Sequence, residues 1–160
     1  MFARDRRIER TRKGELRLRL PRSERDLLRH LRAELEQLLA TAPGDPSLRR
    51  LFPPAYEDED AEEEYRRLMR DELLGGRRRA LRVLEETADS DRLSTEEAQA
   101  WLTALNDLRL VLGTRLDIQE ETLLHGFDPS DPRAPELALY GYLSWLQEQL
   151  VEAIGAGLGD

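Results

Sequence analysis

The stretch AWLTALNDLRLVLGTRL, residues 100–116, decides the fold, because its apolar residues repeat with the period of an α-helix and arginines flank them. At roughly 100° per residue, one face of this helix collects six apolar side chains: Ala98, Trp101, Leu105, Leu108, Leu112 and Leu116. Arg109 and Arg115 lie on the two shoulders of that stripe. Arginine is almost never fully buried without a partner. The pattern therefore predicts a helix docked in a core or an interface, where acidic side chains or backbone carbonyls meet the guanidinium groups.

The start of this helix is marked by a local signal. Ser94 and Glu97 have the spacing of a capping box, in which each side chain accepts a hydrogen bond from the other residue's backbone N–H. The spacing predicts that the helix begins at Thr95 and continues to about Leu116.

A β-hairpin is predicted at the N-terminus. Residues 15–20, ELRLRL, alternate strictly between leucine and charged residues, which is typical of a half-buried strand. A weaker alternation runs over residues 2–8, and the turn-like residues 11–14 join the two runs. Because an isolated hairpin is only marginally stable in water, we expect helices to pack against it.

Further helices follow from periodicity and from end signals. Pro21 and Ser23 end the strand and cap a helix to about residue 40, and Pro135 suits the first turn of the last helix. Apolar positions stay in helical phase across Gly75 and Gly76, so one unbroken helix is predicted there, with a kink as the alternative. A short turn that fills a gap in the core is predicted over residues 48–52. Helices are predicted over residues 57–86 and 135–154.

These elements define a mainly α fold with about five helices in a bundle and an N-terminal β-hairpin. We expect a single domain over residues 1–160, in which a basic hairpin, residues 1–20, packs on a helical body, residues 22–154, and residues 155–160 fray. A chain of 160 residues suits one core, since a domain of about this size buries roughly two thirds of its unfolded surface.

Charge is unevenly distributed along the chain. The net charge is −8, which weighs against extensive binding to nucleic acid or to an anionic membrane. Residues 1–32, however, hold twelve basic side chains against five acidic ones. Residues 1–32, which we call the basic head, are therefore net positive, and the rest of the chain is net negative.

Catalytic chemistry has little support in the sequence. The absence of cysteine excludes disulfides, thiol catalysis and cysteine redox sensing within these residues. His30 and His125 have no metal-binding spacing, and the acidic run at residues 57–64 lacks the pattern of a calcium loop. We predict no catalytic residue, no metal and no cofactor. The alternative is a metal-dependent or hydrolytic enzyme that uses these acids with a histidine.

A basic surface is predicted on the hairpin. Arg12, Lys13, Arg17 and Arg19 decorate the hairpin and its turn, as in a basic wing that contacts a nucleic-acid backbone or a partner protein. The alternative is a polar strand face packed near the acidic body, which would neutralise the hairpin's charge internally.

An aromatic pair forms a second candidate interface. Tyr142 and Trp145 lie off the main apolar line of the last helix, and aromatic side chains are enriched where proteins meet. Burial within the same chain explains the pair equally well.

Three stretches resemble an actinobacterial family of unknown function, usually encoded near the ClpS protease adaptor. They are RRLFPPAYEDEDAEEEYRRLMRDEL (49–73), WLTALNDLRLVLGTRLDI (101–118) and YLSWLQEQLVEAI (142–154). Some members of that family are described as redox-responsive transcription regulators that act with a sigma factor and depend on a cysteine pair. The resemblance implies a regulatory protein, but this sequence has no cysteine, so the sensing role is not carried over.

Several residues of the central helix match the family's pattern. They are Asn106, Asp107, Arg109, Gly113, Thr114 and Arg115. We interpret Asn106, Asp107, Arg109, Thr114 and Arg115 as a polar core network that holds the helices in register. Buried ion pairs of this kind can specify an arrangement without adding much net stability.

The sequence thus predicts a non-enzymatic, cytoplasmic regulatory protein that binds protein partners, including transcription machinery, with weak DNA contact through the basic head. No signal peptide core and no apolar run of about 18 residues is present, so no membrane association is expected. A purely structural homodimer is a further alternative.

Overall fold

The central helix begins where the capping signal places it. In the computed structural model, which describes residues 6–52, 56–119 and 128–157, the Ser94 hydroxyl accepts a hydrogen bond from the Glu97 N–H at 3.1 Å. The Glu97 carboxylate accepts one from the Ser94 N–H at 2.8 Å. The capping box therefore starts this helix at Thr95, as predicted.

The described residues form four α-helices, one short 3₁₀ turn and three short strands. In chain order they are β1 (Ile8–Arg10), β2 (Leu16–Leu18), α1 (Arg22–Thr41), the 3₁₀ turn (Pro46–Leu48), α2 (Glu59–Thr87), β3 (Arg92–Leu93), α3 (Thr95–Arg115) and α4 (Ala134–Gly155). The protein is mainly α with an N-terminal hairpin, and the predicted fold class is confirmed.

The hairpin is shorter than predicted, and its first strand lies later in the chain. Gly14 adopts a φ of 88°, and its N–H donates to the Thr11 carbonyl at 3.1 Å. Because this turn fixes the register, Ile8 pairs with Leu18. The first strand is therefore the segment immediately before the turn rather than residues 2–8, of which residues 2–5 lie outside the described residues.

The sheet has a third strand that the periodicity did not predict. β3 pairs antiparallel with β2, and Leu16 lies opposite Leu93. A strand of two residues is too short to produce an alternation of its own. It nevertheless attaches the hairpin to the junction between α2 and α3.

Helix ends also differ in one place from the prediction. Pro21, not Ser23, occupies the N-cap of α1, and no side chain caps that end. The Pro21 carbonyl accepts the first helical hydrogen bond, from the Arg25 N–H at 3.1 Å. By contrast, α2 continues without interruption across Gly75 and Gly76, as predicted.

Helix α3 lies at the centre of the core. Trp101 is fully buried, and its indole N–H donates to the Thr87 hydroxyl at 2.6 Å. Leu48 and Leu51, from the predicted short turn, are buried in the same hydrophobic cluster. Hairpin and helices thus share one main cluster of apolar side chains, with a small second cluster around Leu116 and Ile118.

Candidate interaction surfaces and the contacts that position them

An ion pair with a buried carboxylate joins α2 to α3. Asp107 of α3 has a side chain only 2% exposed, and its carboxylate pairs with Arg77 of α2. Arg77 also donates to the Leu51 carbonyl at 2.7 Å and lies 5.3 Å from the centre of the Phe52 ring. One guanidinium group therefore connects α2, α3 and the segment that follows the 3₁₀ turn.

The carboxyl group of Asp107 is held in an unfavourable environment. Burial raises its pKa, and the hydrogen bond and the positive charge of Arg77 only partly oppose that effect. One carboxylate oxygen, Oδ2, has no hydrogen-bond partner among the described residues. The ionised form of Asp107 thus depends on Arg77.

The predicted polar core network is not one network. Asp107 points towards α2, whereas the Asn106 Oδ1 accepts from Arg109 at 3.2 Å on the same helix and from Gln147 of α4 at 3.4 Å. Thr114 donates to the Leu110 carbonyl at 2.8 Å within its own helix. Neighbouring residues on a helix diverge by about 100°, so the polar side chains of α3 meet different elements.

Arg115 does not belong to the core, and its inclusion in the predicted network was wrong. Its side chain is exposed in the last turn of α3, where a cation complements the helix dipole. Arg115 lies beside the apolar stripe of α3, which is why burial was predicted. The helix ends at Arg115, and its side chain stays exposed there. Arg109 is half-buried and is paired with an amide rather than with a carboxylate.

A second arginine holds backbone carbonyls between the hairpin and the C-terminal end of α2. Arg25 of α1 is only 8% exposed, and it donates to the carbonyls of Leu20, Ala88 and Ser90 at 2.9, 2.9 and 2.7 Å. Its guanidinium also lies 3.6 Å from the exposed carboxylate of Asp91. Arg25 therefore joins the end of the hairpin to the loop between α2 and β3.

The predicted aromatic interface is mostly inside the chain. The Tyr142 side chain is buried, and its hydroxyl donates to Glu24 at 2.7 Å. Burial and the neighbouring carboxylate raise the pKa of Tyr142 well above its usual range. Trp145 is half-buried, with the Arg7 guanidinium 5.6 Å from its ring centre. Tyr142 is thus unavailable as an anchor for a partner, because it joins α4 to α1.

The same contacts fix the hairpin on the helical body. Arg7 forms an ion pair with Glu24 at 3.0 Å, where both side chains are largely buried. The Gln149 side-chain oxygen accepts from the backbone N–H groups of Arg7 and Ile8 at 2.7 and 3.1 Å. The edge of β1 is therefore bonded to α4, and the outer surface of the hairpin is presented on a fixed support.

The predicted basic surface is exposed at the hairpin turn and partly neutralised along the strands. Arg12 and Lys13 are exposed and form no ion pair with a described residue, and neither does the half-buried Arg17. Arg19 lies 3.5 Å from Glu9. Of the four predicted residues, Arg12, Lys13 and Arg17 thus have no ion pair with a described residue, and we call these three the hairpin cations.

The residues considered for metal or acid–base chemistry do not converge within the described structure. His30 is 69% exposed and lies 3.1 Å from Glu34 on the same helix, and His125 lies outside the described residues. Among residues 6–52, 56–119 and 128–157, no group of three or more potential ligands could hold a metal ion. None of the helices in those ranges is long and apolar enough to cross a bilayer.

Sequence reasoning missed the arginines that matter most to the structure. Arg7, Arg25 and Arg77 lie in or beside apolar positions of their own elements, as Arg109 and Arg115 do. The available signal was local: Arg25 is three residues before the buried Leu28, and Arg77 is four before the buried Leu81. Such an arginine is carried towards the core by its own helix.

The fold and these contacts define a mainly helical protein whose hairpin and loops are held by arginines. The chain belongs to the DUF2017 family, described as a domain of unknown function, whose model matches residues 5–154. The family resemblance seen in the sequence is thus confirmed. No solved structure matches the chain significantly.

Named relatives occur in mycobacteria. The chain is 33% identical to the oxidative stress regulator AosR of Mycobacterium tuberculosis H37Rv and of Mycobacterium bovis, over 70% of this chain and 59% of the relative. It is 33% identical to the putative oxidative stress regulator AosR of Mycobacterium leprae, over 73% of this chain and 62% of the relative. The chain therefore matches about three fifths of the length of these relatives, whose names agree with a regulatory role in stress.

Proposed function

We propose that this chain is a non-enzymatic, cytoplasmic regulatory protein of the oxidative stress response, which binds a protein of the transcription machinery. The observation that carries the proposal is its membership of a family in which the named relatives are oxidative stress regulators. The contacts described above add a surface suited to binding, because the hairpin presents cations on a fixed support.

The hairpin cations are the proposed contact surface. Arg12 and Lys13 lie at the tip of the hairpin, and Arg17 lies on its outer strand face. They belong to a hairpin that is fixed at its first strand, where the Arg7 and Ile8 N–H groups are bonded to Gln149. Cations that form no ion pair with a described residue suit an acidic partner, because complementary charge favours both encounter and register.

The signal cannot be a cysteine oxidation within these residues. The sequence has no cysteine, so a thiol–disulfide switch would have to be supplied by another part of the regulatory assembly. We therefore propose that this chain supplies the binding function and that oxidant sensing by thiols, where it occurs, is done by a partner.

The proposal is tested by co-purification from the native cell, with and without oxidant. The tagged chain is expected to recover a sigma factor or an RNA polymerase subunit. A variant carrying Arg12→Glu and Lys13→Glu should recover about tenfold less, a change of about 1.4 kcal/mol in binding free energy. Arg22→Glu is the matched control, because that side chain is 81% exposed and lies on α1 outside the hairpin.

Two results would contradict the proposal. Recovery of no transcription protein would remove the assigned function, and equal recovery by the hairpin variant and the control would remove the assigned surface. Direct DNA contact is distinguished from binding to a protein by titrating the chain with a labelled DNA duplex at increasing salt concentrations. A steep loss of affinity that Arg17→Glu abolishes would assign the hairpin to DNA instead of to a protein.

A further inference from the structure

A row of three charged side chains crosses the small sheet on the side away from the core. Leu16 and Leu18 of β2 are buried, and successive side chains of a strand alternate between its two faces, so Arg17 lies on the opposite face. Strand pairing places Glu9 of β1 opposite Arg17 on one side and Arg92 of β3 opposite it on the other. We call the side of the sheet that carries this row its outer face.

Two members of the row are arginines at directly paired positions. Like charges opposite each other on neighbouring strands destabilise a sheet. Arg17 and Arg92 occupy such a pair, and Arg17 forms no ion pair with a described residue. An anion placed between the two guanidinium groups would remove this repulsion.

The two carboxylates of the outer face lie close to other arginines. The Glu9 carboxylate is 3.5 Å from Arg19, which is two residues beyond Arg17 on β2. The Glu15 carboxylate is 3.6 Å from Arg92. Three arginines therefore share two glutamates on this face, and Arg17 is the one left over.

Both of these ion pairs are weak. Their N···O distances are longer than the 2.7–2.9 Å of a charge-assisted hydrogen bond, and the four side chains are 37–54% exposed. Exposed pairs of this kind contribute little to stability. A carboxylate from outside can therefore replace Glu9 or Glu15 at small cost to the fold.

Charged groups at the borders of the face do not supply the missing anion. The Asp91 carboxylate, next to Arg92 in the chain, lies 3.6 Å from the Arg25 guanidinium. Arg7, at the end of β1, is paired with Glu24. The hairpin turn adds the positive charges of Arg12 and Lys13 beside the face.

We propose that the outer face of the sheet binds an acidic segment of a partner protein, with one of its carboxylates held between Arg17 and Arg92. Each guanidinium presents several N–H donors in a plane, a geometry that matches a carboxylate. The incoming carboxylates compete with Glu15 for Arg92 and with Glu9 for Arg19. This inference rests on the proposed function, because it names the group that the hairpin surface takes from its partner.

The spacing of the arginines suggests the probe. Arg17 and Arg19 lie on the same face two residues apart, which is about 7 Å at a rise of 3.4 Å per residue. Carboxylates at every second residue of an extended peptide have the same spacing. A short, fluorescently labelled peptide of Glu-Ser repeats is therefore titrated with the full chain, and its anisotropy is measured. A peptide of Gln-Ser repeats serves as the uncharged control.

The first test removes the arginine of β3. Arg92→Gln should weaken binding of the Glu-Ser peptide about fivefold, the upper range for one exposed ion pair. Arg82→Gln is the matched control, because Arg82 is exposed on α2 and forms no ion pair with a described residue. Equal binding by the two variants would overturn the proposal.

The second test removes the internal competitors. Glu9→Gln and Glu15→Gln should each strengthen binding about twofold, because each frees an arginine for the peptide. Glu148→Gln, at an exposed position of α4, changes the net charge by the same amount and should have a smaller effect. Binding that Glu9→Gln and Glu15→Gln leave unchanged or weaken would contradict the exchange of ion pairs.

Stability separates a binding role from a structural one. Arg92→Gln removes a like-charge pair with Arg17, so the urea midpoint of unfolding should stay the same or rise. A lower midpoint would mean that Arg92 holds the sheet together, and the proposal would fail.

Two further outcomes separate this inference from its neighbours. A labelled DNA duplex that binds more tightly than the peptide, and that Arg92→Gln weakens, would assign the outer face to nucleic acid and overturn the proposal. Co-purification of a sigma factor that Arg92→Gln leaves unchanged would overturn it too, while the proposed function would stand. Peptide binding that responds as expected supports the outer face even where co-purification recovers no transcription protein.

Discussion

Two sets of arginines show how one residue type serves two purposes in this protein. Arg25 and Arg77 reach inward, and between them they hold four backbone carbonyls and one buried carboxylate. Arg12 and Arg17, on the hairpin, form no ion pair with a described residue. The difference lies in what each side chain meets and not in its charge.

The inner set is satisfied mainly by backbone. Loop and helix-end carbonyls that are buried must be paired, and the forked guanidinium donates several hydrogen bonds in one plane. Arg50 and Arg133 repeat the pattern, donating to the carbonyls of Ile118 and Leu116 at 3.2 and 2.7 Å. Arginine thus acts here as a connector of loops, which lysine, with its single point charge, cannot replace.

The largest expected effect on the free energy of unfolding is at Arg77. Arg77→Ala leaves the carboxylate of Asp107, 2% exposed, without its counter-charge, and breaking a buried pair in this way typically costs about 3–5 kcal/mol. Urea unfolding at neutral pH should show a lower free energy of unfolding by about that amount. Arg79→Ala, on the exposed side of the same helix, is the control and should change it little.

The next expected effect is at Arg25. Arg25→Ala removes the donors for three carbonyls, at 2.7 to 2.9 Å, and a hydrogen bond to a charged group contributes about 1.5–3 kcal/mol. Water can reach part of the site in the variant, so we expect a loss of about 3 kcal/mol. Arg22→Ala is the matched control, and a loss as large there would remove the distinction between the two sets.

The pH dependence of stability sharpens the assignment of Asp107. Because burial raises the pKa of this carboxyl in the folded protein, the folded state favours its protonated form more than the unfolded state does. Its contribution to stability is therefore greatest below the unfolded pKa, near about 3.9, and is lost as the pH rises through the folded pKa.

Comparison with Asp107→Asn isolates this group from the other carboxylates. The free energy of unfolding of the wild type, minus that of Asp107→Asn, is expected to fall as the pH rises from acid towards neutral. A difference that rises over the same interval would mean that Arg77 stabilises the ionised form more than burial opposes it. The pKa of Asp107 would then be lowered, contrary to the structure.

The sequence predicts where the helices lie, but not the long-range contacts that join them. The start of α3 at Thr95 and the continuity of α2 depend on residues three or four apart, so periodicity and capping predict them. The contact of Arg25 with Ala88 spans 63 residues and that of Gln149 with Arg7 spans 142. No local pattern encodes such pairs.

Arg115 shows where prediction of burial from helical periodicity fails. A position on the shoulder of an apolar stripe is buried only when another element covers that shoulder, and no sequence pattern states which element does so. Arg77 has such cover from the segment around Leu51 and Phe52, whereas Arg115 is exposed. Guanidinium groups that meet a carboxylate and backbone carbonyls are present in this protein, but they belong to Arg77 and Arg25 and not to Arg109 and Arg115, for which these partners were predicted.

A smaller effect on stability is expected where α4 meets α1. Tyr142→Phe removes the hydrogen bond from the buried hydroxyl to Glu24 at 2.7 Å, and such a bond contributes about 1 kcal/mol. Thermal and urea unfolding should both show a loss of about this size. Tyr140→Phe, at an 8% exposed position whose hydroxyl forms no hydrogen bond with a described residue, should show less, and equal losses would assign the effect to packing.

The smallest effect on stability is expected at the hairpin cations, where the proposed effect on binding is largest. Substitutions of exposed side chains that hold no other group typically change stability by less than about 0.5 kcal/mol, so Arg12→Glu with Lys13→Glu should unfold at the same urea concentration as the wild type. Partner recovery should nevertheless fall. Loss of stability without loss of recovery would place Arg12 and Lys13 with the inner arginines, and the comparison between the two sets would no longer hold.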